Sequence, residues 1–238
     1  MSNLKIYCIV FCQSLQSHFH PIVGAALAGI GAYSENISSL EGKRGELLPG
    51  KIFLVTGGTR SGKSAFAERL AAQISAVVSY IATAVITDEE MQARVDLHQR
   101  RRPAGWETLE EPYCVSDLIG KIGAPEKVFL LDCLSVYVSN LLWRNNADND
   151  EENRAAVLAE VRAILQAAKN TGSTLIIVSS EVGLGLVPDN RLGRFYRDLL
   201  GEANQEVAET AEEVYFVASG IPLALKRLHK FMQSTERD

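Results

Sequence analysis

The chain has 238 residues, 47% of them hydrophobic and 22% charged, a balance that excludes a disordered or fibrous protein and fits an ordinary globular one. Its net charge of −5 repels nucleic acid and anionic membrane, so neither is an expected partner. The cysteines, Cys8, Cys12, Cys114 and Cys133, form no C-x-x-C pair and no metal spacing, which suits isolated thiols in a reducing cytoplasm.

Residues 1–50 differ from the rest and read as a poorly ordered N-terminal extension. Leu4–Cys12 and Pro21–Tyr33 are apolar, but each falls short of the ~20 residues a membrane-spanning helix needs. Lys5 is the only early positive charge, a weak start for a signal peptide. His18 and His20 stand two apart but bring no further ligand, and a metal site takes three or four, so they are read as solvent-facing.

From Lys51 the pattern alternates strand and helix. Ile52–Val55 is a continuous apolar run of the kind a buried parallel strand carries. Gly57-Gly58-Thr59-Arg60-Ser61-Gly62-Lys63-Ser64 follows, matching the phosphate-loop pattern G-x-x-x-x-G-K-[ST] at every fixed position. The helix formers Ser64–Ala72 come next. In such a loop backbone N–H groups converge on phosphate oxygens, helped by the positive end of the helix. Lys63 reaches the β/γ-phosphates and the Ser64 hydroxyl sits on Mg²⁺.

Val77–Ala82 reads as a second strand. Thr87 and Glu90 form a capping box for a helix running to about Arg101. Trp106–Glu110 reads as a short strand, Lys127–Asp132 as a strand ending in an acid, and Leu134–Arg144 as an amphipathic helix. Asn145–Asn153 reads as an acidic surface loop, Arg154–Lys169 as a helix and Thr174–Ser179 as a buried strand. Asn190–Ala211 is a further helix and Val214–Ala218 a last strand, with no internal repeat. Strands alternating with helices predict a mainly parallel sheet covered on both faces. The expected domain is residues 51–230, with 231–238 as a tail.

Three places could carry chemistry. Asp132, at the carboxyl end of a strand, stands where ligands of open α/β sheets bind, and a carboxylate there can hold the Mg²⁺ that bridges nucleotide phosphates; otherwise it caps the next turn. His98 shares a helix face with Met91 and Val95 and precedes Arg100, Arg101 and Arg102. It is either packed on that apolar face and bonded to a backbone carbonyl, or a nucleophile toward phosphorus beside guanidiniums that neutralise phosphate oxygens. The loop Glu181–Arg191 lies at the carboxyl end of a strand. Arg191 and Arg194 beyond it share a helix face, either toward that rim or in surface ion pairs with Asp198 and Glu202.

Together these segments resemble the bifunctional adenosylcobinamide kinase/adenosylcobinamide-phosphate guanylyltransferase family of cobalamin biosynthesis. The resemblance is carried by Val55–Ser64, Tyr80-Ile81-Ala82-Thr83-Ala84, Asp88-Glu89-Glu90-Met91, His98 with Arg102-Pro103, Trp106 and Glu110. It continues through Glu181-Val182-Gly183-Leu184-Gly185, Pro188, Asn190-Arg191, Arg197-Asp198, Gly201, Asn204-Gln205 and Ser219-Gly220. It spans about Lys51 to Lys226. Residues 1–50 have no counterpart, and Ser180 stands where the family often has Asn.

The resemblance implies a P-loop NTPase of the α/β, RecA-like class and a homo-oligomer, with a trimer as one form. It implies phosphorylation of the aminopropanol hydroxyl of adenosylcobinamide by ATP or GTP. A histidine, here His98, then takes GMP from GTP with loss of pyrophosphate. Transfer to adenosylcobinamide phosphate gives adenosylcobinamide-GDP. By the same match His98 and Lys63 are catalytic, and Ser64 and Asp132 hold Mg²⁺. The nucleotide-binding set is Gly57, Gly58, Thr59, Arg60, Ser61, Gly62, Lys63, Ser64, Ala82, Thr83, Ala84, Gln99, Arg100, Arg101, Arg102, Glu110 and Asp132. A phosphate-loop kinase for another small molecule, or a silent nucleotide-binding protein, are the alternatives.

Overall fold

A computed structural model describes residues 50–86, 89, 92, 95–96, 99, 102–103, 105–145 and 149–235. Strand β1 (Ile52–Gly57) is buried at every position, as its uninterrupted apolar run requires. It lies inside a seven-stranded sheet with β2 (Val78–Ala82), β3 (Glu107–Glu110), β4 (Val128–Asp132), β5 (Thr174–Val178), β6 (Glu213–Ala218) and β7 (Ile221–Ala224). The order is β3-β2-β4-β5-β1-β6-β7. All neighbours are parallel except β6 and β7, which form an antiparallel hairpin at one edge.

Successive strand residues face opposite ways, and both faces are apolar. Ile52, Leu54, Phe129, Leu131, Leu175 and Ile177 pack against α2 (Val115–Ile122), α3 (Leu134–Asn145), α4 (Asp150–Thr171) and α5 (Arg191–Thr210). Phe53, Val55, Tyr80, Leu130, Ile176 and Val217 face α1 (Lys63–Ile74) and Trp106. The expected α/β class is present: a mainly parallel sheet with helices on both faces, its first strand leading through the phosphate-loop sequence into α1.

Some elements depart from the sequence reading. The stretch expected as an acidic loop to Asn153 is helical from Asp150. The Asn149 side chain accepts from the Glu151 N–H at 2.9 Å, and Asp150, Glu151 and Glu152 lie against the positive end of α4. Charge that looks like a solvated loop here starts a helix. Helix α2 was not anticipated, nor were β7 and α6 (Leu225–Thr235), which takes in residues 231–235 of the expected tail. Buried Glu213 anchors α6: it accepts from the Lys226 N–H at 2.8 Å, and the Lys226 ammonium bonds the Ala211 carbonyl. Of the helix expected between Thr87 and Arg101, the described residues Glu89, Gln92, Val95, Asp96 and Gln99 are helical; both residues of its capping box lie outside the described residues.

The wholly buried Tyr137 of α3 holds α2 in place. Its hydroxyl accepts from the Val115 N–H at 3.1 Å and faces the Tyr113 carbonyl at 2.9 Å and the Glu160 carboxylate at 2.8 Å. Burial pushes the phenol pKa up and the Glu160 charge adds to this, against the Val115 N–H, so the hydroxyl keeps its proton. Tyr137→Phe should cost about 1–3 kcal/mol, because it leaves buried backbone groups unpaired. Urea unfolding checks this: the midpoint falls while the slope is unchanged.

Candidate active site

Every parallel strand ends on the same edge of the sheet, and the register lines up what is there. Glu110 pairs Ala82, Ala82 pairs Asp132, Asp132 pairs Val178, and Val178 pairs Val55 two residues before Gly57. From Gly57 the chain turns into α1. Arg60 (φ 56°) and Gly62 (φ 93°) take left-handed conformations, which cost Gly62 nothing. Gly62 caps α1 without a side-chain bond, and no acid occupies the first turn. The positive end of α1 is thus left for an external anion. The Lys63 ammonium rests on the Gly58 carbonyl at 3.2 Å, inside the loop it serves.

The turn between β6 and β7 braces this loop from below. Gly220 N–H donates to the Ser61 carbonyl at 2.8 Å, and Ser219 and Gly220 both have positive φ. A Cβ on Gly62 would come 3.2 Å from Gly220 Cα; one on Gly57 would come 2.4 Å from the Val217 carbonyl and 2.8 Å from Ser61 Oγ. Ser61 Oγ is itself buried without a hydrogen-bond partner. On the other side, Glu181 bonds Thr56 Oγ1 at 2.9 Å and gives its own N–H to the Gly57 carbonyl at 3.1 Å.

Asp132 takes a hydrogen bond from the Tyr80 hydroxyl at 2.9 Å. Burial pushes the Tyr80 pKa far up and Asp132 adds to it, so the phenol stays a donor. Arg102 stacks over the Tyr80 ring, 3.5 Å from its centroid, and reaches Thr108 Oγ1 at 2.9 Å. Its Nε is buried with no partner. Burial, and after it the Asp132 charge, push the thiol of the adjacent Cys133 up.

The expected nucleotide contacts are distributed unevenly along this rim. Thr59 and Arg60 are exposed on the loop, and Ser61, Gly62, Lys63 and Ser64 are half-buried. Thr83 is fully buried: its hydroxyl joins both the N–H (3.1 Å) and the carbonyl (2.9 Å) of Cys133. Its own carbonyl accepts from Asn140 at 2.7 Å. Ala82 and Ala84 are half-buried, Glu110 is exposed at the end of β3, and Gln99 is exposed. His98, Arg100 and Arg101 lie outside the described residues.

The loop after β5 exposes Leu184, Leu186 and Val187. Asn190 caps α5 through the Gly193 N–H at 2.7 Å, and Arg194 ties the Pro188 and Asp189 carbonyls at 3.0 and 2.9 Å. Arg191 pairs with Asp150 at 2.7 Å and Arg197 with Asp198 at 3.3 Å, whereas Glu202 pairs with Arg154 of α4. Surface ion pairing thus accounts for much of this arginine row. Ser180 faces Ser135 Oγ at 3.4 Å, and its carbonyl accepts from Asn204 at 3.2 Å.

The family of cobinamide kinase/cobinamide phosphate guanyltransferase, CobU, matches residues 53–225. The chain belongs to this family. It is 40% identical over 181 residues to the bifunctional adenosylcobalamin biosynthesis protein CobU of Escherichia coli, covering 74% of this chain and 99% of that relative. The CobP protein of Pseudomonas aeruginosa is 40% identical over 173 residues, covering 73% and 96%. Among solved structures, flagellar accessory protein FlaH of Methanocaldococcus jannaschii covers 76% of each chain at 13% identity and a TM-score of 0.42. The RadB recombinase covers 76% and 79%, also at 13% identity, with a TM-score of 0.41. The chain is accordingly an enzyme of cobalamin biosynthesis, a kinase and guanylyltransferase by family, and nucleotides are its substrates. Among the described residues no helix is long and apolar enough to cross a membrane.

In the sequence Ser219-Gly220 and Tyr80 have no role beyond the resemblance, and Glu181 stands only as part of the rim loop. Their roles are long-range contacts, for which one sequence carries no local signal. Gly57→Ala should lower stability by about 1–3 kcal/mol, because the added Cβ meets backbone that cannot move aside. Gly58→Ala, whose Cβ meets nothing within 4 Å, should leave the melting temperature unchanged. Parallel thermal melts of the two variants check the contrast.

Proposed function

We propose that this chain phosphorylates adenosylcobinamide with ATP or GTP, and then moves GMP from GTP to adenosylcobinamide phosphate through a guanylyl-histidine on His98. Both steps use the one phosphate loop. What carries this beyond family membership is the position of Arg102. It lies four residues past His98 and stacks on Tyr80, whose hydroxyl holds Asp132. Arg102 is thereby held beside the strand end that bears Asp132.

In the first step the acceptor hydroxyl oxygen bonds to the γ-phosphorus, the β–γ bridge breaks, the nucleoside diphosphate leaves and the hydroxyl proton is lost. Lys63 and the open end of α1 hold the phosphates in line. In the second step neutral His98 attacks the α-phosphorus of GTP and pyrophosphate leaves. A phosphate oxygen of the acceptor then displaces the histidine, giving adenosylcobinamide-GDP. Arg100, Arg101 and Arg102 are the guanidiniums available to that α-phosphate, and Gln99 and Glu110 the polar groups for the remainder of the nucleotide. Thr83 acts as a tie between the ends of β2 and β4, since its hydroxyl and carbonyl are already engaged.

Mg²⁺ fits the donors present: the Ser64 hydroxyl and the Asp132 carboxylate are both hard oxygen ligands. Phosphate and water would complete its coordination. When bound it would neutralise phosphate charge. A cytoplasmic homo-oligomer, a trimer in one form, belongs to the same reading.

His98→Ala should separate the two activities. Kinase turnover persists, no GMP adduct forms by mass spectrometry, and adenosylcobinamide phosphate accumulates. Continued covalent labelling by GMP in a stably folded variant would remove His98 as the acceptor. Lys63→Ala should impair both half-reactions together, with weaker GTP binding; guanylyl transfer at the wild-type rate without kinase activity would refute the shared loop.

A further inference from the structure

A cavity of about 510 Å³ opens where α3, α4 and the start of α5 meet, within the range of small-molecule sites. Its walls include Leu142 and Trp143 of α3, Leu192 and Tyr196 of α5, and the Asp150–Arg191 ion pair. Trp143 is 75% exposed and Leu192 56%, and the loop leading into α5 exposes Leu186 at 96%. An apolar surface of this kind beside polar edges marks a binding site rather than a satisfied exterior.

We propose that this cavity binds the corrin body of the acceptor substrate, with Trp143 and Leu192 against the macrocycle. The assignment rests on the function proposed above. The cavity joins the phosphate loop through short steps. The Tyr196 hydroxyl donates to the Ser135 carbonyl at 2.9 Å, Ser135 Oγ meets Ser180 Oγ at 3.4 Å, and Glu181, the next residue, bonds Thr56 beside Gly57. These contacts connect the wall of the cavity to the residues that support the phosphate loop. The lining disfavours a second triphosphate, because the Arg191 charge is already met by Asp150 at 2.7 Å. It suits a large ring with apolar faces and an amide-bearing edge: Trp143 and the leucines meet the ring, and Asp150 and Asn190 lie at the margin to pair with amides. The full ring is larger than the cavity, so part of it lies over the exposed loop with Leu184, Leu186 and Val187.

The test is equilibrium dialysis of adenosylcobinamide against the full-length wild type, Trp143→Ala and Leu192→Asp, with GTP titrations and molar mass by light scattering on the same preparations. Both side chains are largely exposed, so the variants should fold. The expected result is a dissociation constant for adenosylcobinamide raised roughly tenfold or more in each, as loss of an aromatic or apolar anchor produces, with unchanged GTP affinity and mass. Unchanged adenosylcobinamide affinity in both variants overturns the cavity assignment while the proposed function stands. A change of mass with that affinity intact makes the patch a contact between copies of the chain and also overturns it. A wild type that binds GTP but neither binds nor phosphorylates adenosylcobinamide overturns the functional reading, and the cavity's occupant with it.

Discussion

The phosphate loop exists in this shape because two stretches of backbone touch. Gly57 leaves no room for a Cβ beside Val217, Gly62 lies close against Gly220, and the Gly220 N–H closes the contact on the Ser61 carbonyl. A P-loop needs its N–H groups turned inward toward phosphate, so the outer side of the curve must be held by something else. Here the β6–β7 turn does this. The antiparallel hairpin thus has a purpose in an otherwise parallel sheet: it reverses the chain beside β1 and brings a glycine against the loop.

The parallel register sets the rest of the site. Because β2, β4, β5 and β1 end together, Asp132, Glu181 and Lys63 come from distant parts of the chain and yet meet at one edge. Polar ties fix that edge at buried positions, where an unpaired group would be costly. Thr83 joins the ends of β2 and β4, Asn140 joins Thr83 to Pro112, and Tyr80 orients Asp132. None of these side chains needs to touch nucleotide to matter, since electrostatic catalysis depends on charges held in place beforehand.

Most of the scaffold was legible in the sequence because its signals are local. The apolar run of β1, the fixed positions of the phosphate loop and the acid ending β4 are patterns of adjacent residues, and each element lies where the pattern put it. What escaped was decided by partners far along the chain. Helix α2 is only eight residues long, and its first N–H is satisfied by Tyr137, twenty-two residues away. Strand β7 alternates exposed and half-buried residues and exists by pairing with β6. The start of α4 was hidden by acids that read equally well as loop. Tyr80 has the sequence signature of an ordinary core aromatic, and only the Asp132 carboxylate at its hydroxyl, 52 residues away, sets it apart.

On the functional reading proposed above, one loop serves two reactions whose targets differ, the γ-phosphorus in one and the α-phosphorus in the other. The loop, Lys63 and the end of α1 bind phosphate by charge and backbone geometry, which do not distinguish the steps. Selection must come from what approaches the triphosphate. The segment between β2 and β3 carries His98 in the sequence, and the α3–α5 side offers the cavity with Trp143. Once phosphorylated, the acceptor carries nearly two negative charges, so holding it for the second step needs cations. Lys63 at the loop is one such cation, and it must first have released the diphosphate of the kinase step. Product exchange at the loop therefore separates the two reactions in time, while the corrin body keeps a single seat beside it.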